Sequence, residues 1–493
     1  MTTKIVALDI KRRHPKRLDS NTDFVYARFG NQVLAILDQQ LPNNSIEERI
    51  DIAITITLYM EDIIAESGLW HGFVMKHNEL YGKPLPFYSI DEDGYFMNEP
   101  NVEDIQFLIW NSLSLNEGEL IHPINPFILH TAQVLFNFCL DHFETLPVNE
   151  ALHDYFHRCD FMNDFITMRF TLEWLLFSCY LTFTPQISTP YQDLQEQLYE
   201  NLYKEAADID QARYMTNSLS VFLFKIGPLA LYPYEWLESI LKANGQNRYA
   251  RRLSDMVFEN IDFYKVIEEQ DEGILFKSSD GKERFAEYTA LNLKRGMIGK
   301  TNDIIMSLVF YQDRWELNGV MSTVPNDNNS LETESSEETG KTSDIGIPNY
   351  KKLMKLSSNS PLFYFRDEKE YREFLLKDMG LKNVDSHVGL FQGDGKNIVV
   401  FIPSPTKGFD TCSNAAQCIC DKRNPYYVAT TDQAEQWNLF IHLSTHEMLQ
   451  YLFKHDMLPH LRFPCPKGLE ADAHKIVTEN WEFLERTFKR INY

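Results

Sequence analysis

SIEERIDIAITITLYMEDIIAESG, residues Ser45 to Gly68, decides the fold, and it carries two conflicting signals. Ile52, Ile54, Ile56 and Leu58 alternate as they would in a strand, and β-branched residues are frequent. Against this, Ser45 and Glu48 have the spacing of a capping box, and Gly68 stands where a left-handed helix stop is wanted. The run between them far exceeds the roughly 5–6 residues of an ordinary strand. Length and caps outweigh alternation, so the sequence predicts a helix buried on more than one face.

The neighbouring segments agree. Ile105, Leu108, Ile109 and Ser112 share one helical stripe, and Ile128, Ala132, Leu135, Phe136, Cys139 and Phe143 continue the rhythm. YEWLESILKANG closes on Gly245, and helices are expected through about residue 265. No fixed-period repeat suggests a solenoid. Near Gly273 the texture changes: EGILFKSSDGKERFAEYT reads as strand, Asp280-Gly281 turn and strand, and DIIMSLVFYQDRWELNGVMS repeats that plan with an Asn318-Gly319 turn. Val324 to Gly346 is polar, acidic and nearly free of large apolar residues, so it cannot offset the entropy of ordering and reads as a flexible linker. Beyond it come a strand (PLFYFRD), a helix ending on Gly380, a hairpin turning at Asp394-Gly395, and two helical stretches, DQAEQWNLFIHLSTHEMLQYLFKHDML and ADAHKIVTENWEFLERTFKRI. The expected fold class is α+β multidomain: an irregular helical amino-terminal domain over 1–265, a small β-rich module over 266–323, a disordered acidic linker over 324–347, and a small α/β domain over 348–493.

A chain of 493 residues exceeds a single core, and 44% apolar with 24% charged residues is a soluble globular composition. A net charge of -24 argues against a protein that coats nucleic acid. The basic KRRHPKR, Lys11 to Arg17, reads as a solvated arm, with contact to an anionic partner as its alternative. The start MTTKIVALDIKRRH has too short an apolar run for a signal peptide. FTLEWLLFSCYLTFTP, Phe170 to Pro185, is too short for a membrane span and carries Glu173, so it reads as a buried helix. Seven cysteines without a secretory signal fit a reducing compartment, and the expected location is cytoplasmic, with no membrane partner.

Cys412, Cys418 and Cys420 crowd into nine positions, and Cys465 offers a fourth thiolate. The intervening five, one and forty-four residues lack the paired knuckles typical of structural zinc, and a single intervening residue strains a tetrahedral chelate. Zinc is the metal those four would take, and no other cofactor is expected. A Cys nucleophile paired with His442, His446 or His455 is the other reactive reading, whereas Cys139, Cys159 and Cys179 read as small core residues. The pairs His153/His157 and His442/His446 have helical spacing, which can place two imidazoles beside one metal. A third ligand and a positioned base are also needed, and Glu447 does not stand where a metalloprotease places its base. RGMIGKT, with Gly299-Lys300-Thr301, and GDGKN at Gly393 to Asn397 lack the first glycine or the helix start that a phosphate loop requires. In GLWHGFVMKHNELYGKPLPFY, Trp70, His71, Lys76, His77 and Tyr81 form a candidate partner surface, because binding faces interleave aromatics with polar anchors. The same residues also suit a helix end capping a core.

YMEDIIAESGLWHGFVMKHNELYGKPLPFYSIDED followed by EDIQFLIW, and later DKRNPYY and YLFKHDMLPHLRFP, resemble an uncharacterised protein family from Bacteroidetes, classed only as a domain of unknown function. The likeness covers most of the chain except the linker. It implies a cytosolic bacterial protein whose helical and α/β parts belong together, and it transfers no catalytic residues. The absence of a complete catalytic motif favours a non-enzymatic interaction or regulatory protein with a protein partner. The alternative is a metal-dependent enzyme with its site in the helical domain, using His71, His77 or the His153/His157 pair with Asp154 and Asp160. A third reading, a nucleic-acid-associated factor using KRRHPKR, would show affinity falling steeply with salt.

Overall fold

The structure is a computed structural model that describes residues 4–15, 18, 20–91, 94–117, 121–200, 209–298, 302–319, 321–325, 347, 349–381, 384, 395–440, 444–458, 461–465 and 467–493. The chain divides into two compact units, Met1–Asn328 with Arg490–Asn492, and Asn329–Lys489 with Tyr493. The deciding stretch is a helix, α3 (Ile46–Ala65), preceded by α1 (Ala7–Lys11) and α2 (Asp23–Gln40). Ser45 Oγ accepts the Glu48 N–H at 3.1 Å, and Glu48 Oε2 accepts the Ser45 N–H at 2.8 Å. The alternating Ile52, Ile54, Ile56 and Leu58 are all buried, together with Thr57, Tyr59 and Asp62, because α3 is packed on several sides. A helix buried on all sides needs no single apolar stripe, so an alternating run is compatible with it. The stop falls two residues earlier than expected: Glu66 takes the left-handed conformation (φ 50), and Gly68 (φ 85) opens the next helix, α4 (Leu69–Tyr81).

The helices α5 (Val102–Glu117), α6 (Pro126–Phe143), α7 (Glu150–Arg158) and α8 (Phe165–Phe177) follow, then α9 (Ser188–Leu198), α10 (Ile209–Leu223), α11 (Pro233–Ala243) and α12 (Asn247–Ser254). Most of the predicted stripes of α5 and α6 are internal: Ile105, Leu108, Ile109, Ile128, Ala132, Leu135 and Cys139 are buried, whereas Ser112, Phe136 and Phe143 are half-buried. α8 is buried along most of its length, Glu173 included, and no helix among the described residues is long and apolar enough to cross a membrane.

Helix was expected as far as residue 265, but a strand, β1 (Val257–Glu269), begins eight residues earlier. Its Val257, Phe258, Ile261, Phe263, Tyr264 and Val266 fit a half-buried pleat, and pairing on both edges overrides the local helical rhythm. With β2 (Gly273–Ser278), β3 (Glu283–Glu287), β4 (Asn302–Tyr311), β5 (Arg314–Leu317) and β6 (Ser322–Pro325) it forms an antiparallel sheet of order β3-β2-β1-β4-β5, in which β6 also pairs with β4. Tyr264, Ile274, Phe276, Ile304, Met306 and Leu308 make its core. The β2–β3 turn has Gly281 at φ 83, as Asp280-Gly281 predicts. The β4–β5 turn is made by Gln312 and Asp313, both at positive φ, and Asn318-Gly319 lies beyond β5. The Asn318 amide is buried and donates to the Ser218 carbonyl at 3.0 Å, tying the sheet to α10. β6 ends at Pro325, inside the stretch read as linker; residues 326–346 lie outside the described residues.

The second unit opens with α13 (Tyr350–Leu356), β7 (Leu362–Asp367) and α14 (Glu368–Phe374), which continues as a wider turn to Gly380 at φ 76. β7 pairs with β8 (Lys396–Phe401), and β8 with β9 (Asp410–Cys412), giving the order β7-β8-β9 over a core of Leu353, Tyr371, Phe374, Ile398 and Val400. The first limb of the expected hairpin, 388–394, lies outside the described residues. The last helices are α15 (Gln433–Asn438), α16 (His446–Lys454), α17 (Glu470–Glu479) and α18 (Trp481–Lys489). DKRNPYY is a clasp between loops: Asp421 accepts the Tyr364 hydroxyl at 2.9 Å and pairs with Arg423, whose Nη1 donates to the Ser357 carbonyl at 2.7 Å. Asn424 Nδ2 donates to the carbonyls of Ala416 at 2.6 Å and Ile419 at 2.7 Å.

Candidate functional site

The joint between α3 and α4 is held by one carboxylate. Asp62 accepts the Leu69 and Trp70 backbone N–H groups at 3.1 and 2.7 Å, the Tyr180 hydroxyl at 2.8 Å and the Ser67 hydroxyl at 2.5 Å. It therefore caps the amino terminus of α4 and turns the chain sharply between the two helices. Burial raises its pKa above the ordinary value, opposed by those hydrogen bonds. Gly68 is required there: a Cβ would lie 2.3 Å from Asn244 Oδ1, and Asn244 Nδ2 donates to the Ser67 carbonyl at 2.8 Å. Gly68→Ala is expected to lower stability by at least the roughly 1–2 kcal/mol of a left-handed non-glycine residue; an unchanged calorimetric Tm would contradict this.

The tight joint places Glu66 beside α7. His153 donates its Nδ1–H to the Ala65 carbonyl at 2.9 Å, and His157 donates its own to the His153 carbonyl at 3.0 Å. Those bonds leave the lone pair of each ring on Nε2, the arrangement in which metal-ligating histidines are oriented by a carbonyl behind them. The two rings are nearly parallel, with centroids 4.0 Å apart. One ligand atom from each of Glu66, His153 and His157 lies within 4.8 Å of the others, with the histidines half-buried and Glu66 exposed. A cleft of about 230 Å³ opens on this group, lined by Glu66, His71, Asn98, His157 and Asn244 among others. Burial lowers the pKa of His71, and among the described residues its ring has no hydrogen-bond partner.

The structure thus joins the predicted His153/His157 pair to a carboxylate that the sequence did not indicate. Asp154 is engaged with Arg158 at 2.8 Å, and Asp160 opens a short 3-10 turn. Glu66 is remote in sequence, and its left-handed backbone has no local signature.

The surface proposed around α4 is corrected. Trp70 and His77 are buried, at 1% and 0% exposure. Trp70 packs against Tyr59, Phe73 and Phe107, because α4 runs between α3 and α11 with its aromatic side inward. Burial pushes His77 down to about 4, and its Nδ1–H donates to the Lys83 carbonyl at 2.7 Å. Lys76 pairs with Glu79 at 2.9 Å, and Tyr81 lies against the His77 ring; of the predicted set, His71 and the edge of the buried Trp70 line the cleft. His442 of the second histidine pair lies outside the described residues, as do Gly299, Lys300 and Thr301.

A second cluster occupies the helical core. His14, within the expected basic arm, is 5% exposed, with Nε2 2.7 Å from Glu61 Oε2 and Nδ1 3.5 Å from Asp23 Oδ1. That segment is anchored, and the Trp174 indole donates to the Arg13 carbonyl at 2.7 Å, so the reading of a wholly solvated arm is corrected; Lys16 and Arg17 lie outside the described residues. Among the described residues, no three sulphurs of Cys412, Cys418, Cys420 and Cys465 come within 4.8 Å of one another. Cys412 and Cys418 are buried, and burial pushes both thiols up to about 12, away from the thiolate that zinc requires. Cys420 is exposed and Cys465 half-buried. Cys139, Cys159 and Cys179 are buried, as small core residues should be.

No curated protein and no solved structure matches the sequence. A family described as protein of unknown function (DUF3843) matches residues 4–271 and 246–490, so that its two matches span nearly the whole chain, and the chain belongs to that family.

Proposed function

We propose that the helical unit is a metal-dependent enzyme whose metal is held by Glu66, His153 and His157 at the cleft. The observation that carries this reading is the convergence of the three ligand atoms within 4.8 Å, with both histidine Nδ1 protons committed to backbone carbonyls. Two histidines and one carboxylate are a set used by catalytic zinc and non-haem iron, and three protein ligands leave positions open for water or substrate. An ion held by these three residues would supply activation of a water, and His71, whose pKa burial lowers, offers an imidazole on the same cleft to accept a proton. Interaction or regulation through the α4 face loses support, because Trp70 and His77 are core residues. Zinc at the four cysteines likewise loses support, because no three of their sulphurs converge among the described residues and burial raises the pKa of the Cys412 and Cys418 thiols.

The test is native mass spectrometry and elemental analysis of the full chain equilibrated with Zn²⁺ or Co²⁺. One ion per chain is expected, lost in His153→Ala, His157→Ala and Glu66→Gln. At a hundredfold excess over Kd the ion should raise the unfolding free energy by about 2.7 kcal/mol. Absence of uptake by the wild type, or uptake that survives all three substitutions, would remove the proposal.

A further inference from the structure

We infer that Asn149 is the positioning residue of this site, acting through a buried tether to Glu61; the inference rests on the metal-site reading above. Asn149 is 1% exposed and precedes α7. Its Oδ1 accepts the Leu152 N–H at 3.2 Å, its carbonyl accepts the His153 N–H at 2.9 Å, and its Nδ2 donates to Glu61 Oε1 at 2.8 Å. The other Glu61 oxygen is taken by His14 Nε2 at 2.7 Å, so this carboxylate has a defined orientation.

Glu61 lies one helical turn before Ala65, whose carbonyl orients His153, and the next residue is Glu66 itself. The end of α3 thus supplies the carboxylate ligand, the carbonyl behind one imidazole, and the anchor for the start of the helix carrying both imidazoles. α7 has only nine residues, too few to hold its place without tertiary ties. At its other end Gln246 Nε2 donates to the His157 carbonyl at 2.8 Å. Ligand spacing must hold within about 0.5 Å for tight metal binding, and the Asn149–Glu61 bond is a buried side-chain link between the end of α3 and the start of α7, beside the hydrogen bond from His153 to Ala65.

The experiment measures Co²⁺ affinity and the visible Co²⁺ spectrum of the full chain, using the metal alone as probe. Asn149→Ala is expected to weaken binding roughly 10- to 100-fold, the range for groups that orient ligands, and to shift the spectrum. Asn149→Ser retains a capping oxygen but is too short to reach Glu61, so it separates the tether from the cap and covers the case in which the alanine variant does not fold. Asn125→Ala removes the corresponding cap of α6, where Asn125 Oδ1 accepts the Phe127 N–H, and should leave affinity and spectrum unchanged. A wild type that takes up no Co²⁺ overturns the site and this inference with it. A wild type that binds while Asn149→Ser binds equally well, with the same spectrum, overturns the inference and leaves the site standing.

Discussion

His14→Ala is expected to destabilise the protein by roughly 3–5 kcal/mol, the range for removing one partner of a buried ion pair. His14, Asp23 and Glu61 are 5%, 6% and 1% exposed, so water cannot replace the lost imidazolium. Burial opposes the charge on His14, but the hydrogen bond it donates to Glu61 and the charges of Glu61 and Asp23 outweigh it and raise its pKa above the ordinary 6.5. A raised folded-state value means that the pair's contribution is fully present below pH 6.5 and fades as pH rises through the folded pKa. Urea denaturation followed by tryptophan fluorescence at pH 6 and pH 9 checks both statements. The wild-type advantage over the variant should be largest at the lower pH; a loss below about 1 kcal/mol at pH 6 would show that the cluster relaxes or hydrates.

Asp104 should make stability fall with rising pH in a second window. It is 1% exposed and accepts the Tyr59 hydroxyl at 2.6 Å, the Tyr95 hydroxyl at 2.9 Å and the Asn101 amide at 3.2 Å. Burial dominates these favourable donors and raises its pKa to about 7. The folded protein therefore binds a proton that the unfolded chain releases near pH 3.8, and the stabilisation is lost as pH climbs through 7. At about 1.36 kcal/mol per pKa unit, this group alone should remove roughly 3 kcal/mol between pH 5 and pH 8. Asp104→Asn should flatten that part of the profile, relative to wild type measured in the same buffers. Equal slopes in the two proteins would mean that the carboxyl is ionised throughout.

Short-range chemistry was readable wherever a few neighbouring residues settle the backbone. The Ser45–Glu48 capping box formed as written, Asp280-Gly281 turned a hairpin, and Gly380 closed its helix at φ 76. The helical periods of α5 and α6 pointed to the sides that are buried. The first half of β1 reads as helix although its aromatic and β-branched residues favour a strand, and the hydrogen bonding to β2 and β4 that fixes it as one comes from residues distant in the chain. The β4–β5 turn at Gln312-Asp313 was missed because neither residue is a glycine or asparagine, yet strand twist demands positive φ at both.

The site divides in the same way. His153 and His157 are neighbours through helical spacing alone, so their proximity was written in the chain. Their partner Glu66 was not, because it depends on Asp62 capping α4, on the left-handed turn after Ala65, and on α7 docking against the end of α3. Trp70 and His77 have the composition of an exposed recognition face, and become core because α3 and α11 cover them. Local pattern specifies helices, caps and turns, since their energies come from residues a few positions apart. Which polar side chains meet, and which aromatic ones are hidden, depends on contacts between residues distant in the chain, and those exist only after the helices have packed.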